Sequence, residues 1–149
     1  MLDIQEISDR LEIQELLVAY TTAIDGKDFD ALDGIFTDDA HIDYTTFGAI
    51  AGSRAEMKEF LATSMARFTA CQHLIANPEI RFDGDRATGR VMCLNALGFP
   101  AEDGDPRLAL LGMWYIDDYT RTPAGWRISR RSQERGWTQG LGDVPASAH

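Results

Sequence analysis

Between Ile7 and Ile24 the apolar residues Ile7, Leu11, Leu16, Leu17, Tyr20 and Ile24 recur at helical spacing, while Asp9, Arg10, Glu12 and Glu15 occupy the other face. This predicts an opening helix. Its expected N-cap is Asp9, with Glu12 three positions on, and its expected end is near Asp25, where Gly26 tolerates positive φ. "DFDALDGIF" reads as a short second helix and "AHIDYTTF" as a first strand. A third helix is predicted from about Ser53 to Phe68, with Ser53 as N-cap and Met57, Phe60, Leu61, Met65 and Phe68 on its apolar side.

After Phe68 the pattern changes to period two. Residues 70 to 82, 86 to 99, 108 to 120 and 125 to 133 read as four strands, separated by the turn-forming stretches "DGD", "PAEDGD" and "TPAG". Helices followed by strands predict an α+β fold, a cone-shaped α+β barrel whose curved, mostly antiparallel sheet carries the three N-terminal helices. The open end of such a cone is a pocket. A chain of 149 residues supports one such core, placed at 1–137, and the small, polar, Gly- and Pro-containing residues 138–149 read as a flexible tail. A small cone leaves one sheet face uncovered, so a homo-oligomer is expected.

The charge balance narrows the partners. Fourteen Lys and Arg against twenty-four Asp and Glu give a net charge of -10, which repels a polyphosphate, so nucleic acid is not an expected partner. No stretch is apolar for long enough to span a membrane, and the acid-rich start does not resemble a secretory signal. A cytoplasmic location is therefore expected. Cys71 and Cys93 lie in apolar strand-like segments and read as reduced, buried thiols. Without CxxC or HExxH spacing, a metal is not called for.

The candidate chemistry centres on His73, one of three histidines, inside "CQHLIAN". On a strand, Cys71, His73 and Ile75 share a face, and pairing through "DGD" sets His73 opposite roughly residues 94 to 96, which makes Asn95 a polar neighbour. Asp25 at a helix end, Tyr20 on the apolar stripe and Tyr44 in "HIDYTTF" are further groups suited to a pocket. In "WRISRR", Arg127 and Arg131 share one face and Arg130 takes the other, and one of them can balance an inward carboxylate. A neutral imidazole is a natural general base, and a carboxylate on its far nitrogen fixes the tautomer. Each residue also has a plain structural role open to it: a hydrogen-bonded strand histidine, a helix-end aspartate, a core tyrosine, a solvated basic strand. His41 has no evident partner. Phe47, Met57, Met65, Phe68, Leu94, Met113 and Tyr115 are the expected apolar lining, suited to a hydrophobic ring with a few oxygens.

The stretches "IQELLVAYTTAIDGKDFDALDGIFTDDAHIDY", "QHLIANPEI" and "GWRISRR" resemble the SnoaL-like branch of the nuclear transport factor 2-like superfamily, over about residues 4 to 137. The resemblance is greatest to the group containing scytalone dehydratase, bile-acid 7α-dehydratase and hexachlorocyclohexane dehydrochlorinase. It implies a cofactor-free lyase, or an isomerase, acting on a small hydrophobic cyclic compound of steroid, polyketide or aromatic type. By motif, it implies His73 as base and Asp25 as its orienting carboxylate, with Tyr20 and Tyr44 as hydroxyl donors and Arg131 as a basic pocket residue. The same resemblance favours a trimer over a dimer. The superfamily also holds non-catalytic binding proteins and subunits such as the small subunit of ring-hydroxylating dioxygenases, which stands as the alternative.

Overall fold

The computed structural model describes residues 1–100 and 103–143. Its first helix, α1, spans Ile4–Asp25, and the residue that caps it is Asp3, whose carboxylate accepts from the Glu6 N–H at 2.7 Å. Asp9, expected as the cap, lies inside the helix and is buried, while Ile7 and Leu11, expected in the core, are exposed. The reason is a specific ion pair: Asp9 takes two hydrogen bonds from Arg121 at 2.7 and 2.6 Å and one from the Trp126 indole at 3.1 Å. Gln5 Nε2 adds another at 2.9 Å, and a charged residue with four hydrogen bonds on it outcompetes two apolar ones for the inner face. Ile13, Leu16, Leu17, Tyr20 and Ile24 form the buried stripe.

At the other end, Gly26 has an ordinary φ of -81°, and the left-handed residue is Lys27 at 56°. Lys27 then reaches across to donate from Nζ to the Phe68 carbonyl at 2.8 Å, which ties the end of α1 to the segment entering the sheet.

The expected second helix is a 3-10 helix at Phe29–Gly34. The first strand, β1, is Phe36–Asp43, so it begins and ends earlier than "AHIDYTTF", and Tyr44 follows it at the head of a 3-10 turn, Thr45–Phe47. A three-residue strand that the periodicity did not mark, β2 at Ala51–Ser53, pairs back on β1. Helix α2 covers Arg54–Ser64 and opens on Ser53 as expected, with a full capping box to Glu56, before a 3-10 turn at Met65–Arg67.

Four long strands complete the chain: β3 Ala70–Asp83, β4 Arg86–Pro100, β5 Pro106–Thr122 and β6 Gly125–Gln139. The six strands lie in the order β2-β1-β6-β5-β4-β3, with only β1 and β6 parallel. The sheet curves without closing into a barrel, and β2 and β3 are its edges. Pro78 fits that edge position, since it has no N–H to offer; the register of β3 shifts between Ala76 and Glu79 and Asn77 takes a φ of 49°.

The last strand extends past residue 133 to Gln139, and a 3-10 turn at Leu141–Asp143 folds Leu141 against the core. Of the tail expected from 138, residues 138 and 139 are thus strand; 144–149, with His149, lie outside the described residues. The core fills the concave side of the sheet, from Val91, Cys93, Leu97 and Phe99 on β4 and Ala109, Leu111, Met113 and Tyr115 on β5 to α1 and α2. No helix among the described residues is long and apolar enough to cross a membrane.

Candidate active site

His73 faces Asn95 across the β3–β4 ladder, as the count through the "DGD" turn predicts. β3 is an edge strand, so backbone donors on its free side need partners from elsewhere. Asp25, at the end of α1, supplies one. Its Oδ2 accepts from the His73 backbone N–H at 3.0 Å, and its Oδ1 meets His73 Nδ1 at 2.6 Å. One carboxylate thus clamps both the main chain and the ring of the same residue. The His73 side chain is only 3% exposed and that of Asp25 26%.

Electrostatics follow from this contact. Burial works to raise the Asp25 pKa, but the hydrogen bonds from the His73 ring and backbone, with the Cys71 thiol beside them, hold it below the usual carboxylate range. An ionised Asp25 accepts from Nδ1–H, which leaves the Nε2 lone pair of His73 bare. Nε2 has no hydrogen-bond partner among the described residues. An imidazole nitrogen free to accept, with a carboxylate orienting the ring from its far side, is the arrangement that general-base chemistry requires.

Cys71, to which the sequence reading gave no chemistry, belongs to the same cluster. Its Sγ lies 3.8 Å from His73 Nδ1 and 3.8 Å from Asn95 Oδ1. Burial and the neighbouring Asp25 charge push its thiol up to about 12, so it stays protonated and acts as a donor. Ligand atoms of Asp25, Cys71 and His73 all fall within 4.8 Å of one another, which is the reach of a metal site. Two ligands on a tetrahedral zinc, each at about 2.1 Å, stand ~3.4 Å apart. The 2.6 Å contact between Oδ1 and Nδ1 is that of a hydrogen bond, and the pair must open before an ion fits between them.

Beside the dyad stands a buried aromatic group. The Tyr20 and Tyr44 hydroxyls are 2.6 Å apart, and the Tyr20 ring meets the His73 ring edge-on with centroids 6.4 Å apart. Burial raises both phenols above their ordinary pKa, so both remain neutral donors, and the Arg131 charge partly offsets that rise. The Arg131 guanidinium lies 4.2 Å from the Tyr20 ring centre and 4.1 Å from that of Tyr115. It is fully buried and bound twice by Asp117, at 2.7 and 2.7 Å, and Tyr119 donates to the same carboxylate at 2.8 Å.

Asp117 is the inward carboxylate that Arg131 balances, a residue the sequence reading did not name. The available signal was "YIDDY", where strict alternation sends one of two consecutive aspartates into the core. Arg127 does not share the face of Arg131. The β5–β6 register shifts between Asp118, paired with Arg130, and Tyr119, paired with Ile128, so Ser129 is an extra residue and parity reverses across it.

Next to the dyad lies a cavity of about 160 Å³. Phe47, Met65, Phe68, Met113, Asn95 and Tyr44 line it, as expected, together with Leu111 and Gln133. His73 is not in this wall but adjoins it through Asn95, its partner across the ladder. Three expected residues are placed differently. Met57 and Tyr115 are fully buried and stand behind the wall, Tyr115 packed between Tyr20 and Arg131. Leu94, one position from the inward Cys93 and Asn95, points to the opposite, convex face of the sheet, where it pairs with Leu74.

Comparison with known proteins agrees with this architecture. The uncharacterized protein Rv2910c of Mycobacterium tuberculosis is 47% identical over 136 residues, covering 91% of this chain and 90% of that protein. The crystal structure of the Kfla4162 protein of Kribbella flavida superposes with a TM-score of 0.85 at 27% identity, over 92% of this chain and 97% of that one. Hexachlorocyclohexane dehydrochlorinase LinA-type3 of Novosphingobium barchaimii superposes with a TM-score of 0.77 at 18% identity over 93% of each chain, a likeness of fold. The family profile of the SnoaL-like domain matches residues 5–132, nearly the whole of the helix-and-sheet body just described. With that match the chain belongs to the SnoaL-like family of the nuclear transport factor 2-like superfamily.

Proposed function

We propose that this protein is a lyase, or an isomerase of the same first step, that acts on a small hydrophobic cyclic substrate through His73 as general base. The carrying observation is the 2.6 Å contact between His73 Nδ1 and Asp25 Oδ1, with Nε2 free of partners among the described residues and with Asn95, the ladder partner of His73, in the wall of a cavity. In the elimination, Nε2 takes a proton from a carbon next to a carbonyl, and the C–H electron pair becomes the new double bond. The β-oxygen departs as water, taking its proton from the Tyr20 and Tyr44 pair, and the imidazolium proton then restores the phenol. In the isomerisation the same proton returns to a different carbon. The buried Arg131 charge lies against the Tyr20 ring and favours negative charge on the phenol oxygens while they are short of a proton. Every part needed is a side chain of this chain. The likeness of fold to an enzyme that carries out a dehydrochlorination supports an elimination.

The test is turnover of cyclic β-hydroxy ketones, beginning with 3-hydroxycyclohexanone, followed as appearance of the conjugated enone. Wild-type protein is expected to catalyse loss of water and His73→Ala to abolish it with the fold retained. Activity that survives His73→Ala, or that disappears on chelation of metals, sinks the proposal.

The reading extends to a homo-oligomer, a trimer by resemblance. Leu74, Met92, Leu108 and Trp137 sit on the convex face of neighbouring strands with exposures of 62, 38, 63 and 51%, a patch that a second copy can cover. Light scattering that gives a monomer mass at micromolar concentration contradicts it.

A further inference from the structure

The cavity wall is apolar across Phe47, Phe60, Phe68, Leu97, Leu111 and Met113, with polar side chains at Tyr44, Ser64, Arg67, Asn95 and Gln133. One of them stands out. Gln133 Oε1 is buried and has no hydrogen-bond partner among the described residues. Leaving a buried amide oxygen unpaired is destabilising, and a leucine of similar volume at this site avoids that penalty. The residue is also held in place: its backbone carbonyl accepts from Thr46 Oγ1 at 2.9 Å, and it pairs with Tyr115 across the β5–β6 ladder. An acceptor left unpaired in a largely apolar wall is matched by a ligand that carries its own donor.

Size narrows the ligand further. The cavity measures about 160 Å³, and an apolar protein cavity of ~150 Å³ holds one benzene. A single six-membered ring fits this space; two fused rings exceed it. His73 is on β3 and Gln133 on β6, three strands away, and His73 meets the cavity only through Asn95, its partner across the ladder.

We infer that Gln133 determines specificity: it accepts a hydrogen bond from a hydroxyl group on a monocyclic substrate held in the cavity. The role given to His73 rests on the proposed elimination; the binding of a hydroxylated single ring does not.

The experiment is equilibrium binding without turnover, by calorimetry or ligand-observed NMR, with phenol, anisole and 2-naphthol as probes. Wild-type protein is expected to bind phenol at least about 10-fold more tightly than anisole, which has the same ring and no donor. It is expected to bind phenol more tightly than 2-naphthol, although the larger ring is the more hydrophobic. Gln133→Leu removes the unpaired oxygen, so it should fold at least as stably as wild type and bring the phenol-to-anisole ratio to about 1; Gln133→Met serves as a second variant with the same expectation. Anisole bound as tightly as phenol by wild type, an unchanged ratio in both variants, or 2-naphthol bound as tightly as phenol overturns the inference. The same ratio measured on His73→Ala should match wild type, so a failed elimination leaves this result standing and the reverse also holds.

Discussion

Replacing Asp25 by asparagine keeps the size of the side chain and removes one of its two acceptors. In the native protein Oδ1 serves Nδ1–H of His73 and Oδ2 serves the His73 backbone N–H, at 2.6 and 3.0 Å. The backbone group can only donate, so the amide oxygen of asparagine goes to it and the NH2 is left facing Nδ1. That arrangement is satisfied only if Nδ1 is the acceptor and Nε2 carries the hydrogen. The opposite orientation sets NH2 against the backbone N–H and leaves a donor unpaired, at a cost of about 1–3 kcal/mol. The wrong tautomer is then favoured by roughly 5- to 150-fold, at 1.36 kcal/mol per factor of ten. Loss of the carboxylate also removes the charge that stabilises an imidazolium, and the corresponding change in a serine protease triad lowers kcat by about 10⁴. The expected fall for Asp25→Asn is therefore about 10³- to 10⁴-fold in kcat. Long-range 1H–15N NMR of the histidine rings reads the cause directly, and with three histidines in the chain the assignment is simple. Wild type should show hydrogen on Nδ1 of His73 and the variant hydrogen on Nε2. The same tautomer in both proteins, or a variant that keeps more than a tenth of the activity, refutes the reasoning.

Three other outcomes follow from the same geometry. Asp117→Asn leaves the fully buried Arg131 without its counter-charge and should cost about 3–5 kcal/mol in urea unfolding, most of it recovered when Arg131→Met is combined with Asp117→Leu. Arg121, with Trp126 and Gln5, holds Asp9 at about 2 against an ordinary 3.8, although burial pulls the other way. The folded value lies below the unfolded one, so this stability is present above pH ~4 and is lost as pH falls toward 2; Asp9→Asn should flatten the acid limb of Tm against pH over that window. Tyr44→Phe breaks the 2.6 Å contact with Tyr20 and should lower kcat by about 10²-fold with Tm nearly unchanged, and a loss below threefold argues that the hydroxyl has no part in the reaction.

What the sequence made legible were features carried by period and turn chemistry. Four long strands, the capping box at Ser53 and the facing of His73 and Asn95 follow from alternation and from a two-residue turn, both local properties. What it hid depended on insertion or on distant pairing. One extra residue at Ser129 reverses the parity that would set Arg127 beside Arg131. Asp9 turns inward because Arg121 and Trp126, more than a hundred positions away, provide its donors, and no helical pattern encodes that. Leu94 and Cys93 are both apolar, so hydrophobicity alone could not say which faces the cone. Asp25 and His73 were legible from the residues as a helix-end carboxylate and a strand histidine suited to one pocket, and the family motifs gave the pair its roles; Gln133, an amide among charged neighbours in "SQER", gave no signal before its unpaired oxygen was located.

The central claim is that His73 removes a proton from carbon next to a carbonyl. Exchange of the α-protons of cyclohexanone and 3-hydroxycyclohexanone in D2O, followed by 1H NMR, measures that step without requiring a leaving group to depart. Wild-type protein should accelerate deuterium uptake well above the buffer rate, and His73→Gln, at equal protein concentration and with an unchanged circular dichroism spectrum, should return it to that rate. Uptake by His73→Gln equal to wild type, or no acceleration by wild type with either ketone, contradicts the account.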